Sequence, residues 1–439
     1  QAVAKADAKG AWAVELPALK KGENLELTVT GKNVITLKNV IVGDIWLCSG
    51  QSNMELPLNQ CLGSDGDIGV DYPGIRLIKI NHEVSAYPEQ EAPVAGAWQV
   101  CTKWAPNGYT GVGFYFTREI HKQTGVPVGL IDASWRGAAI EPWITLEALQ
   151  SMPEFREAAV ARSTNFVTNS VMTGWCNMQN AMISPLFRFP IKGVLWYQGE
   201  SNGNEGETYY HKMRALVNGW RKAWNRLPPQ GAGASVGEFP FYFVQLTGYG
   251  STNPNDHTNN PAGGDGWSRL REAQTQALAI TNSGMAVIID TQPINEANDY
   301  HPRNKYDVGM RLARWALNRD YGMKDVVPSG PLFKSMAIEG DKVRLAFDYT
   351  GSGLMVGAKV GRAPAVEDKA GKLKRFAIAG ADKKWVWADA VIDGQTVVVS
   401  SPEVKAPVAV RYAFSMYPYG ANLYNREGLP ASPFRTDAW

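Results

Sequence analysis

The chain has 439 residues, more than one ordinary domain needs, so a large domain with a smaller companion is the starting expectation. Its 44 basic and 42 acidic side chains leave a net charge of +2 with no long single-sign block, which argues against nucleic acid or an anionic membrane surface as a partner. No apolar stretch reaches transmembrane length, no signal-peptide pattern opens the sequence, and the 44% apolar share is that of a soluble globular chain.

Residues 1–40 read as a β-rich segment. Trp12, Val14 and Leu16 alternate, as do Leu25, Leu27 and Val29, and then Val34, Ile35 and Leu37, with turn signals at Lys21-Gly22 and Gly31-Lys32. Three short strands bury little alone, so the segment reads as part of a larger β module.

From 41 to about 327 strands alternate with helices. The first strand is the apolar run from Ile41 to Cys48, which ends at Ser49-Gly50-Gln51-Ser52-Asn53. Four more apolar runs follow: Val126–Ile131 before Asp132-Ala133-Ser134-Trp135-Arg136-Gly137, Ile191–Tyr197 before Gln198-Gly199-Glu200-Ser201-Asn202, Phe239–Val244 before Gln245, and Met285–Ile289 before Asp290. Helical patterns fall at Phe114–Gln123, Thr208–Trp224, Trp267–Ile280 and Asp307–Arg319. The alternation predicts an α/β fold: a mainly parallel sheet covered on both faces, with its polar loops crowding one edge. Ligands bind at that edge in open α/β sheets.

Ser52 is therefore a candidate nucleophile, weighed against the commoner use of Ser49 and Ser52 as helix caps. His301 precedes the helix at 307 and falls at the same edge. It is the side chain suited to take a serine proton when an acidic group orients it, and Asp299 is two residues away. His82, His121, His211 and His257 lack this placement. The stretch Ser251–Trp267 is rich in Asn, Gly and Pro and is expected to be an irregular loop rimming the active edge. Cys48, Cys61, Cys101 and Cys176 have no metal-ligand spacing; Cys48 reads as core, while Cys61 and Cys101 sit in turn-rich segments where an oxidising compartment would let them pair. The 15 Trp and 17 Tyr serve either core packing or sugar-stacking platforms. From 328 to 439 the pattern returns to β, with strands around Val343–Phe347, Val397–Val399 and Val408–Tyr412, which predicts an ancillary C-terminal β domain.

Gly50-Gln51-Ser52-Asn53, the run Trp196-Tyr197-Gln198-Gly199-Glu200-Ser201-Asn202, and Asp299-Tyr300-His301-Pro302 together resemble the sialate O-acetylesterase family of SGNH hydrolases. Ser134-Trp135-Arg136-Gly137 with Glu141-Pro142-Trp143 fits the second block of that superfamily, and the resemblance runs from about Trp12 to Asp437. It implies a three-layer α/β/α hydrolase that removes acetyl groups from sugar hydroxyls without metal or cofactor. The sugar would be sialic acid or an acetylated plant polysaccharide such as xylan or xyloglucan, met in the periplasm or outside the cell. By position, the resemblance makes Ser52 the nucleophile and His301 the base. The N–H groups of Ser52 and Gly137 would line the oxyanion hole.

The superfamily's usual Gly-x-Asn-Asp block is Gly199-Glu200-Ser201-Asn202 here. The similar plant-type and rumen esterases use a Gln before the Gly as donor, which assigns the role to Gln198 with Asn202 in reserve. Asn298 stands where the usual Asp-x-x-His spacing puts the acid, so Asp299 and Glu200 compete to orient His301. Trp135, Arg136 and Arg303 are candidate substrate contacts, the arginines for a sialate carboxylate. The same segment would alternatively suit a catalytically silent carbohydrate-binding protein on an esterase fold.

Overall fold

A computed structural model describes the chain except residues 1, 9, 11, 13, 15, 18, 21, 165–169, 226–237 and 258–259. The turn residue Lys21 and loop residues Thr258 and Asn259 lie outside the described residues.

Apolar runs too short for helices and apolar on both sides must sit inside a covered sheet. They do so here. Strands β3 (Asp44–Gly50), β4 (Tyr72–Lys79), β5 (Gln99–Cys101), β6 (Val128–Ser134), β7 (Gly193–Tyr197), β8 (Phe241–Val244) and β9 (Ser283–Ala286) form one sheet in the order β5-β4-β6-β3-β7-β8-β9. All pairs are parallel except the edge pair β4–β5. Trp46 of β3 packs edge-on against Phe116 of the helix Gly111–Thr124, with ring centroids 4.7 Å apart. Trp196 of β7 aligns with Ser49, an odd offset from Trp46, and so faces the other side. There it meets Trp220 of the helix Thr208–Asn225. The result is three layers, with helices Gly111–Thr124 and Lys305–Arg319 packed together on one face; a Cβ on Gly309 would stand 2.7 Å from that of Tyr115.

Strands β4 and β5 were not anticipated, because Arg76 and Lys79 interrupt the apolar run of β4. Arg76 is accommodated by donating to the carbonyl of Pro73 and to Asn39 Oδ1. The expected strand 41–48 is in fact two: Ile41 and Val42 end β2 (Val34–Val42), and Gly43 separates it from β3, since a Cβ there would lie 2.2 Å from Pro127 O. At the N-terminus β1 (Gly22–Thr30) and β2 form a two-stranded antiparallel ribbon. The third strand expected at Trp12–Leu16 is absent at the described Trp12, Val14 and Leu16. Val34, Ile35 and Leu37 remain exposed, for a lone ribbon has no layer to lean on.

Residues beyond 331 form three antiparallel sheets of four, three and four strands. The buried core continues from the α/β sheet into them. Tyr417 Oη donates to Gln292 O at 2.9 Å, Tyr424 Oη to Asp290 Oδ2 at 3.1 Å, and Arg362 Nη1 to Asp67 Oδ2 at 2.9 Å. Cys61 and Cys101, read as turn residues able to pair, are buried free thiols, as are Cys48 and Cys176. Burial pushes the Cys61 and Cys101 thiols up to about 12.

Candidate active site

Each parallel strand delivers its next residues to the same edge of the sheet. The central strand β3 turns at Gly50, whose φ of +133° and 2.1 Å approach to Tyr197 O admit no side chain. Beyond it the short helix Ser52–Glu55 opens with Ser52. Ser49 is wholly buried and donates to Ala133 O at 2.9 Å, so it belongs to the sheet and not to the cavity.

Ser52 Oγ lies 2.8 Å from Nε2 of His301. On the far side of the ring, Nδ1 lies 2.9 Å from Asp299 Oδ1. A carboxylate only accepts, so Nδ1 carries the proton and Nε2 presents its lone pair to the serine hydroxyl. Burial holds the His301 imidazole below its ordinary pKa, with Asp299 pulling the other way. Glu200, the rival acid, makes no contact with this ring. Its Oε1 accepts from Asn53 Nδ2, and its Oε2 is buried without a partner. Burial raises the Glu200 carboxyl pKa.

The donors rearrange the expectation. Gln198 is fully buried beneath the cavity: its Nε2 donates to Gln51 Oε1 at 3.0 Å and Asn202 Oδ1 at 2.7 Å, while its Oε1 accepts from Tyr209 Oη at 2.8 Å. Asn202, the reserve, accepts from Ile140 N and donates to Glu141 and Glu205, again away from the cavity. Gln51 is the amide on the cavity wall. Its Oε1 is held by Gln198 and by the N–H of Ser201 at 3.2 Å, which turns its NH₂ group to the open side. Among the described residues, no protein acceptor takes Gln51 Nε2 or the backbone N–H of Ser52 or Gly137. Gly137 has a φ of +77°, a turn that favours glycine. A buried network sits behind Ser52: Lys305 Nζ donates to Asn53 Oδ1, and Asn53 Nδ2 also donates to Tyr300 O at 2.8 Å. Burial brings the Lys305 ammonium down to about 8.

The cavity is about 1040 Å³ and is lined by Ser52, His301, Asp299, Gln51, Gly137 and Glu200, with Arg136 and Arg303 at its mouth. Tyr249 and Trp267 stack at 5.3 Å, and Tyr300 meets both edge-on. Met416 comes from the C-terminal β region. Trp135 is not part of the lining; it stacks on His82 at 4.5 Å and 7°. Among the described residues of the loop 251–267 only Trp267 lines the cavity, whereas Gly264 N donates to Phe414 O and Asp265 Oδ1 accepts from Met416 N. Gln51, Asn53, Glu55, His82 and Lys305 escaped the sequence reading as site residues. The first three lie within or beside the quoted Gly50–Asn53 motif, whereas nothing local marks His82 or Lys305.

A serine hydroxyl, an imidazole and a carboxylate thus stand in hydrogen-bonded sequence at the carboxyl edge of an α/β/α sheet. Residues 42–318 match the family described as "SASA: Carbohydrate esterase, sialic acid-specific acetylesterase", and the chain belongs to it. The chain is similar to the human sialate O-acetylesterase, with 28% identity over 96% of this chain and 81% of the relative, and to the mouse protein of the same name, with 26% identity over 96% and 83%. Among solved structures it is similar to XAC1771, described as a novel carbohydrate acetylesterase from Xanthomonas citri. That match has a TM-score of 0.82 and 35% identity, and it covers 99% of this chain and 90% of the other.

Proposed function

We propose that this acetylesterase acts on acetylated carbohydrate through a covalent acetyl-serine intermediate formed on Ser52. The observation that carries the reading is the 2.8 Å contact of Ser52 Oγ with His301 Nε2 beside three N–H groups that have no protein acceptor among the described residues. Ser52 Oγ attacks the acetyl carbonyl carbon while its proton passes to His301 Nε2. The carbonyl oxygen becomes an oxyanion facing the N–H groups of Ser52 and Gly137 and the amide of Gln51. Collapse breaks the bond to the sugar oxygen, which takes the proton from His301. Water, deprotonated by His301, then attacks the acetyl-serine, and acetate leaves as Ser52 regains its proton.

In this reading Gln198 is a positioning residue that orients Gln51, and Asp299 orients His301. Tyr300 is 37% exposed and, with Tyr249 and Trp267, offers an apolar wall to sugar rings. That wall suits a neutral acetylated polysaccharide such as xylan or xyloglucan, while the side chains of Arg136 and Arg303 suit a sialate carboxylate. Either substrate would place the enzyme in the periplasm or outside the cell. Among the described residues no helix is long and apolar enough to cross a membrane. The intact Ser52–His301 contact favours turnover over a silent carbohydrate-binding role. Acetate release from acetylated sialic acids and from acetylated hemicellulose oligosaccharides, with Ser52→Ala alongside, tests both the chemistry and the sugar. Release from neither set, with aryl acetates also inert, would support the silent binder.

A further inference from the structure

The turn Trp135-Arg136-Gly137 must hold the Gly137 N–H a fixed distance from Ser52, yet it comes from β6 and Ser52 comes from β3. Its anchors are visible. Trp135 N donates to Gly50 O at 3.0 Å, and Gly137 O accepts from Ser201 Oγ at 3.1 Å. The Arg136 N–H, one peptide before the proposed donor, goes to Glu55 Oε2 at 2.7 Å. Glu55 is the last residue of the four-residue helix that Ser52 opens.

We propose that Glu55 is a positioning residue that fixes the oxyanion-hole turn to the helix bearing the nucleophile, an inference that rests on the acetyl-serine reading above. The carboxylate is built in. Its side chain is 8% exposed, its Oε1 lies 3.2 Å from His82 Nε2, and Lys79 Nζ stands 3.9 Å away. His82 Nε2 is also 3.1 Å from Ser134 O, and its ring stacks on Trp135, so His82 braces the turn from its other end. Burial opposes ionisation of Glu55, but the bonds from His82 and the Arg136 amide outweigh it and hold the carboxyl below its usual range. Arg136 Nε, at 3.6 Å from Oε2 on a side chain 72% exposed, adds little. The carboxylate thus makes its shortest bond to the backbone N–H one peptide before Gly137. Displacing a reacting group by about 1 Å costs on the order of 10²-fold in rate.

The test compares Glu55→Gln, Glu55→Asp and Glu55→Ala on 4-nitrophenyl acetate, with Ser52→Ala as reference. Gln keeps a carbonyl oxygen at the reach of Oε2; Asp keeps the charge but is one methylene too short. The expected order of kcat is wild type, Gln, then Asp and Ala, the last two lower by roughly 10- to 100-fold. KM should stay within about twofold, because the loss is in the transition state. Affinity for a boronic acid that forms a tetrahedral adduct should fall in parallel with kcat. If Glu55→Ala does not fold, the Gln and Asp pair still decides. Asp outperforming Gln, or both matching wild type while Ser52→Ala is inactive, overturns the inference alone. An active Ser52→Ala overturns the acetyl-serine reading beneath it.

Discussion

Asp299 Oδ1 accepts both the backbone N–H and the ring Nδ1–H of His301, each at 2.9 Å. Two residues apart in an extended chain, the two side chains would point to opposite sides. The backbone bond closes an Asx-type turn that folds the carboxylate back under the ring. Asp299 N is itself held by Glu296 O at 2.9 Å, and the peptide oxygen of Tyr300 by Asn53, so the turn is fixed at both ends.

Asp299→Asn should therefore lower kcat by on the order of 10²- to 10⁴-fold, the range set by losing the acid of such a triad. Because Asp299 raises the pKa of His301 against the lowering effect of burial, its loss should also move the acid limb of the pH–kcat/KM profile to lower pH. Glu200→Gln should leave that limb in place. A collapsed Glu200→Gln beside a near-normal Asp299→Asn would transfer the orienting role.

Replacing Ser52 by Ala should lower kcat by roughly 10⁴- to 10⁶-fold with the fold intact. Ser49→Ala should keep near-normal activity, because its hydroxyl is spent on Ala133 O inside the sheet. Circular dichroism and acetyl-enzyme trapping by mass spectrometry distinguish a dead site from a misfolded chain. An acetyl adduct on Ser49 would refute the assignment.

The two glutamines should separate kinetically. Gln51→Ala is expected to cost about 10²- to 10³-fold in kcat with a smaller change in KM, as for a lost oxyanion donor. Gln198→Ala should cost less in kcat and more in stability, about 1–3 kcal/mol, since it strips partners from buried Gln51, Asn202 and Tyr209. Denaturation curves run beside steady-state kinetics check this. Equal kcat losses at unchanged stability would return the donor role to Gln198.

On the cavity wall, Tyr300→Ala and Met416→Ala should raise KM for acetylated oligosaccharides by roughly 2- to 10-fold. Aryl acetate hydrolysis should change by less than about twofold. An equal rise on both substrates would place these side chains in the catalytic geometry and not in sugar binding.

Deleting residues 255–264 removes the Gly264 bond to Phe414 O and the Arg411 bond to Ala262 O. The expected result is a lower Tm together with parallel activity loss on small and large substrates. Selective loss on oligosaccharides would make this loop a substrate contact.

Hydrophobic periodicity by itself determined the alternation of strands and helices, because a strand buried on two faces has to be apolar at every position, and five such runs stand out in this chain. The same logic put Ser52 and His301 at one edge, since parallel strands all end there. It did not reveal β4, whose Arg76 donates to Pro73 O within the strand and to Asn39 Oδ1 of the N-terminal ribbon. Nor could it choose between Asp299 and Glu200, and the family resemblance pointed to Gln198 for the donor amide where Gln51 lines the cavity. Those choices turn on which hydrogen-bonding atom faces the cavity, and each such direction is set by partners 2 to 150 positions away. Glu55 and His82 show the same limit: 27 residues apart in sequence, they meet only because β4 lies beside β6 and brings His82 against the turn that follows Ser134. Local sequence sets what each segment can be, whereas the register of neighbouring strands decides which polar atoms are left to face the substrate.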